Sequence, residues 1–127
     1  MQPILGKLSE PIFDIMRIIV GFLFACHGAQ KVFGVFGWPG HAHGLMLVAG
    51  CIELVSGVLI VLGLFTSFAA FIASGEMAAA YLMGHAPHGF WPIVNKGELA
   101  VAYCFVFLYI AARGSGRLSV DSLLGRR

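Results

Sequence analysis

Charge is what this sequence has least of. Its 127 residues include 8 Lys and Arg and 6 Asp and Glu, 11% in all, where an ordinary soluble domain carries about 25%. A short chain has a large surface for its volume and cannot cover it in water with so few charges, which argues against a soluble monomer. A disordered chain is excluded too, because 59% of the residues are hydrophobic. The net charge of +2 is small and scattered, with no run of Lys or Arg, so no nucleic-acid partner is expected. Cysteine is scarce: Cys26, Cys51 and Cys104 lack CxxC spacing, which indicates neither a disulfide framework nor a zinc module. No basic segment precedes the first apolar run, so a cleaved signal peptide is not expected. Repeats, linkers and low-complexity tracts are missing as well.

What the chain has instead is long apolar runs. A helix needs about 20 apolar residues to cross the roughly 30 Å hydrocarbon core of a bilayer. Four stretches approach this, at residues 11–33, 45–65, 67–84 and 97–112. Pro11 suits a first helical turn, and the Gly- and Pro-rich segments at 34–44 and 85–96 break the pattern between runs. Gly63 followed by Thr66-Ser67 predicts a tight hairpin between the second and third runs, with Thr66 or Ser67 as N-cap. The expected fold is all-α: one integral-membrane four-helix bundle over residues 1–127, with a short tail at 113–127 in water or along the headgroups. Lys7, Arg17, Arg113, Arg117, Arg126 and Arg127 gather on the side of the termini, against Lys31 and Lys96 on the other. This asymmetry places both termini in the cytoplasm, with Trp38 and Trp91 in outer loops.

The few charges carry the functional signal, because an ionisable residue inside a span is costly. Asp14, Arg17, His27 and Lys31 lie in the first run, Glu53 in the second, Glu76 in the third and Glu98 at the start of the fourth. At about 1.5 Å rise per residue, His27, Glu53 and Glu76 sit roughly 9–12 Å below the outer boundary. Glu53 shares a helical face with Gly50 and Gly57, and Glu76 with Ala73 and Ala80. Such small-residue faces pack against helices, not lipid. The plain reading is structural hydrogen bonding, Glu53 to Lys31 or Arg17 and Glu76 to a Tyr or Ser. The functional reading is a polar pocket that takes a head-group-sized ligand and handles protons, for which a quinone is suited. Cys51 lies about 160° from Glu53 on an ideal helix, so it should face lipid or a neighbouring subunit. The loop histidines, His41 with His43 and His85 with His88, are weak ligand patterns, and His27 stands alone at membrane depth. Neither a metal site nor an intrinsic haem is expected, and no residue is singled out as catalytic.

The ordered motifs resemble those of the DoxX family of small bacterial membrane proteins. Arg17 with Gly21 is followed by His27-Gly28-Ala29-Gln30-Lys31, then by Ala49-Gly50-Cys51-Ile52-Glu53 with Ser56-Gly57. Leu62-Gly63-Leu64-Phe65-Thr66, Glu76-Met77-Ala78-Ala79-Ala80, Asn95-Lys96-Gly97-Glu98 and Gly114-Ser115-Gly116-Arg117-Leu118-Ser119-Val120-Asp121 continue the match, from about Ile12 to Leu124. The resemblance implies a multi-pass protein of the bacterial inner membrane with an oxidoreductase link, in some relatives to thiosulfate:quinone oxidoreductase or redox-stress complexes. It also implies one polar site built from Arg17, His27, Lys31, Glu53, Glu76 and Glu98. Two functions follow as expectations: a quinone-binding oxidoreductase component, or a non-enzymatic subunit or assembly factor of a larger membrane redox complex. The bilayer, further copies of the chain or such a complex are the expected partners.

Overall fold

In the computed structural model, which describes residues 1–126, every regular element is helical. Four longer helices alternate in direction: α1 (Ser9–Phe33), α2 (Leu45–Leu62), α3 (Thr66–Ala80) and α5 (Glu98–Arg113). Two short ones, α4 (Pro92–Asn95) and α6 (Val120–Leu123), flank α5. Both termini and the α2–α3 turn gather at one end, here the terminal end. The connections after α1 and after α3 lie at the opposite, loop end.

Helix ends follow local chemistry. Gly34 ends α1 in the left-handed conformation. Gly63 does the same for α2, where Leu64 N–H reaches back to Leu59 O at 2.9 Å and Gly63 N–H to Ile60 O at 3.2 Å. That pair of bonds is a Schellman stop, and it makes the hairpin turn only a few residues long. Neither Thr66 nor Ser67 caps α3 with its side chain. The capping group comes from across the fold: Asp121 accepts from Phe65 N–H at 3.0 Å and Thr66 N–H at 2.9 Å. The tail therefore does not simply lie along a headgroup surface. Ser115, Ser119 and Asp121 are buried against the terminal end, and Asp121 N–H bonds Gly63 O at 2.8 Å.

Packing divides the long helices into two close pairs, α1 with α2 and α3 with α5. Glycines set the first pair. A Cβ placed on Gly57 would stand 2.6 Å from Ala25 N, and one on Gly28 would collide with the backbone of Leu54 and with Gly50 O. Ala69, Ala70 and Ala73 set the second pair. Between the pairs lie Phe24, Tyr103 and Phe107, with Phe24 and Phe107 centroids 4.7 Å apart.

α1 and α2 are long and apolar enough to cross a membrane, by length and composition. α3 and α5 are shorter, at 15 and 16 residues. The third apolar run continues past Ala80 as a turn of π-helix, Tyr81–His85, and then as 3-10 helix, Ala86–His88.

Candidate ligand site

The close approach of α1 and α2 determines where the first two charged groups meet. Gly50 faces Lys31 so tightly that a Cβ on it would stand 2.6 Å from Lys31 Cβ. Lys31, one turn beyond Gly28, is thereby laid across α2 toward Glu53. Its Nζ donates to both carboxylate oxygens of Glu53, at 2.6 and 2.8 Å. Glu53 is 1% exposed. A carboxylate so deeply buried is tolerable only with a partner of this kind.

The Glu76 carboxyl on α3 lies beside that of Glu53. Its Oε2 is buried and accepts from no N–H or hydroxyl donor among the described residues. The polar group beside it is the Glu53 carboxyl, with which it can share a proton. His27 is half-buried in contact with Tyr103, ring centroids 6.1 Å apart at 84°. These groups border a cavity of about 930 Å³ at the loop end. Its polar lining comprises His27, Lys31, Glu53, Glu76, Lys96 and Tyr103, with His85 at the loop rim. The rest is apolar, with three methionines, Met46, Met77 and Met83. Ligand pockets of this kind run to roughly 300–1,000 Å³, apolar with a few convergent polar groups.

Of the six candidate site residues, four come together here: His27, Lys31, Glu53 and Glu76. Two do not. Arg17 is 1% exposed at the terminal end, about two helical turns from Glu53, or roughly 10 Å along the axis. Its Nε donates to Ile60 O at 3.0 Å and its Nη2 to Leu118 O at 2.7 Å. Nη1 bonds Ser115 O and faces Asp14 Oδ1 at 3.4 Å. Arg17 thus ties the end of α2 and the tail to α1. Glu98 is exposed in the first turn of α5, outside the lining. The helix presents Ala100, Tyr103, Phe107 and Ile110 inward, whereas the Glu98 stripe with Ala102, Phe105 and Tyr109 faces out.

Tyr103, Lys96 and His85 are not placed in the site by sequence: Lys96 counts only toward orientation and as part of a motif, and His85 only as a weak ligand pattern. Tyr103 was legible in principle, since Ala100, Tyr103, Phe107 and Ile110 form their own helical stripe. The charge of Glu98 drew attention to the opposite face. Lys96 and His85 carry no periodic signal, because irregular backbone delivers them: Lys96 sits at φ +64° beyond α4, and His85 ends the π-helical turn. Asn95 holds this loop, donating to Tyr81 Oη at 3.0 Å and Gly89 O at 2.9 Å while accepting from Gly97 N–H at 2.9 Å. Cys51 is exposed and Cys26 and Cys104 are half-buried, all three as free thiols. No cluster of three or more His, Cys, Asp or Glu side chains suited to a metal ion occurs among the described residues.

The DoxX family model matches residues 12–86, more than half of the chain and all four of the clustered polar residues. The chain belongs to the DoxX family. An uncharacterized protein of Haemophilus influenzae is 42% identical, the alignment covering 93% of this chain and 94% of that one. An uncharacterized membrane protein of Mycobacterium tuberculosis is 25% identical, over 94% of this chain and 85% of its own length. No solved structure matches. In this DoxX protein α5 and the tail lie beyond the matched region, so Tyr103 and Lys96 complete the cavity from outside it.

Proposed function

We propose that this chain is a four-span protein of the bacterial inner membrane that binds a quinone-like molecule in the loop-end cavity, as a component of a membrane oxidoreductase. The observation that carries the reading is the buried Glu76 carboxyl beside the Lys31–Glu53 pair, in an otherwise apolar cavity. A quinone-type head fits these residues. Its carbonyl oxygens take donors from Lys31, His27 or the Tyr103 hydroxyl, and in the reduced form its hydroxyls supply a donor to Glu76. The bound head would supply two-electron redox chemistry, and the electron donor would be a partner protein.

The chain's own groups orient the head and exchange protons. One ammonium faces two carboxyls, so the set Lys31, Glu53 and Glu76 is neutral when it holds one proton. A neutral set in an apolar cavity avoids the cost of a buried net charge. Apolar walls exclude water around that proton.

The four-span reading draws on side chains that the length of α3 and α5 does not take into account. Phe68, Phe71 and Ile72 of α3 and Leu99, Phe105 and Leu108 of α5 stand exposed. An apolar surface of that kind suits lipid and not water. The π-helical turn through His85 lengthens α3 to roughly 30 Å, and Trp91 with Phe90 provides an interfacial anchor at the same level.

The decisive experiment is extraction of the protein with its own lipid into polymer-bounded discs, followed by mass spectrometry of the co-purified lipid-soluble fraction. Quinone near one per chain is expected, reduced at least tenfold in Glu76→Gln and Lys31→Met. Discs free of quinone that also fail to bind added quinone would overturn the reading. A second reading, a non-enzymatic subunit that docks through its exposed Phe68, Phe71 and Phe105, is favoured by the completeness of the Lys31–Glu53 pair. It predicts a constant crosslinked partner and no co-purified quinone.

A further inference from the structure

The cavity has two unlike sides. Its polar groups, His27 and Lys31 from α1 and Tyr103 from α5, line the wall away from the α2–α3 seam, while Glu53 and Glu76 lie side by side between α2 and α3 as the floor. The remaining boundary is formed by the loop-end halves of α2 and α3 themselves. There Met46, Val48, Ile72 and Met83 line the cavity and are also exposed, at 49%, 53%, 41% and 64%. A side chain can do both only at a mouth. α2 and α3 are pinned together by the short turn at Gly63–Phe65 but pack less closely than α1 with α2 or α3 with α5. Exposed apolar lining residues on both helices mark a lateral gap between them with an apolar rim. At the loop end Ala42 N–H bonds Lys31 O at 2.7 Å and His85 Nδ1 bonds Asn95 O at 3.1 Å. Exposed Leu45, Gly84 and Lys96 also line the cavity there, so the polar loop end and the apolar gap are its two openings.

We infer that the cavity is reached from the bilayer through the gap between α2 and α3, and that its ligand is a membrane-soluble amphiphile with a compact, hydroxyl-bearing head against Glu76 and an apolar chain left in the gap. This rests on the cavity being a ligand site, as proposed above, but not on the ligand being a quinone. The polar wall lies inside and the apolar rim outside, so a molecule enters head first and keeps its chain in lipid. A water-soluble ligand would leave the apolar rim bare. The Glu76 carboxyl, which meets only the Glu53 carboxyl and no N–H or hydroxyl donor, is the group that a hydroxyl on the head would engage.

Carbodiimides test the route without assuming any ligand. Membranes containing the full chain are treated with dicyclohexylcarbodiimide, which partitions into lipid, or with a water-soluble carbodiimide, and the Glu76 adduct is quantified by mass spectrometry. Labelling by the lipophilic reagent at least tenfold faster is expected. It should be lost in Glu76→Gln and slowed at least fivefold by Ala79→Trp, which puts bulk at an exposed lining position of α3. Ala79→Ser should label as the parent does, and elution volume and circular dichroism confirm that both variants fold. Equal or faster labelling by the water-soluble reagent, no labelling by either, or no effect of Ala79→Trp overturns the inference. A parallel titration uses two quinones with the same head, one with a decyl chain and one without. Weakening of the chain-bearing compound alone in Ala79→Trp supports the inference, and equal weakening of both opposes it. If neither quinone binds while the carbodiimide pattern holds, the quinone reading fails and the lateral route stands.

Discussion

Two side chains at the terminal end show how much a single residue can hold together here. Arg17 gathers carbonyls from α2 and from the tail around one guanidinium and faces Asp14. Gly116, at φ +82°, is where a Cβ would collide with Asp14 Oδ1, so the tail passes only because that residue is glycine. Removing one partner of a buried ion pair costs about 3–5 kcal/mol, because the other is left uncompensated. Arg17→Met is therefore expected to lower the unfolding midpoint in detergent by that order while leaving ligand binding at the loop end intact in the folded fraction. Lost binding with unchanged stability would return Arg17 to the ligand site. Asp121 gives a pH-dependent counterpart. Burial raises its carboxyl pKa, but the amides of Thr66 and Phe65 and the Arg126 side chain together outweigh that and hold it below the ordinary value. A group depressed on folding contributes stability that is complete above its unfolded pKa, about 3.9 for Asp, and is lost as pH falls through the folded one. Asp121→Asn offers one oxygen to two N–H donors and no charge, and should be less stable than the parent by about 1.5–3 kcal/mol at neutral pH. The difference should shrink progressively when thermal melts are repeated at pH values stepped down from about 3.9.

At the scale of elements, the α1–α2 pair does the positioning. Helical faces bearing Gly21 and Gly28 on one side and Gly50 and Gly57 on the other let backbones touch, and only then does Lys31 reach Glu53. Gly28→Ala should cost about 1–3 kcal/mol through overpacking. It should also weaken ligand binding in parallel, since the ion pair is splayed. Gly75→Ala is the control: a Cβ there meets nothing within 4 Å, and the change should stabilise the chain by about 0.5–1 kcal/mol. Thermal shift on both variants decides; equal melting temperatures would mean that the helices are not held at glycine distance. The small-residue faces of the first two helices were legible from spacing. The role of α5 was not, because a charged residue on a helix end advertises a face that the core does not use. Glu98 is exposed at an N-terminus whose dipole favours a negative charge, a local role that needs no burial.

For the whole molecule, two helix pairs lean together around Phe24, Tyr103 and Phe107 and separate at the loop end into a cavity. If all four long helices cross the bilayer with both termini inside, the loop between α1 and α2 and the tail lie on opposite sides. In a cysteine-free background, His43→Cys should react with an impermeant maleimide in intact cells. Arg117→Cys, exposed on the tail, should react only after permeabilisation. Reaction of both from one side would mean that one of α2, α3 and α5 does not span.

The scarcity and placement of charge, readable residue by residue, were enough to mark four helical stretches, a family and the polar residues His27, Lys31, Glu53 and Glu76. Burial cost and the 3.6-residue period are local properties, so the order of residues carries them without any fold. Which charges meet was decided only in three dimensions. Arg17 has the same cost signature as Lys31, yet one closes the terminal end and the other lines a cavity. The tail likewise has the composition of a solvated end, but Asp121 supplies the cap that α3 lacks. Partners so far apart in sequence share no period, and the distance between helices, set by glycine contacts, chooses among them.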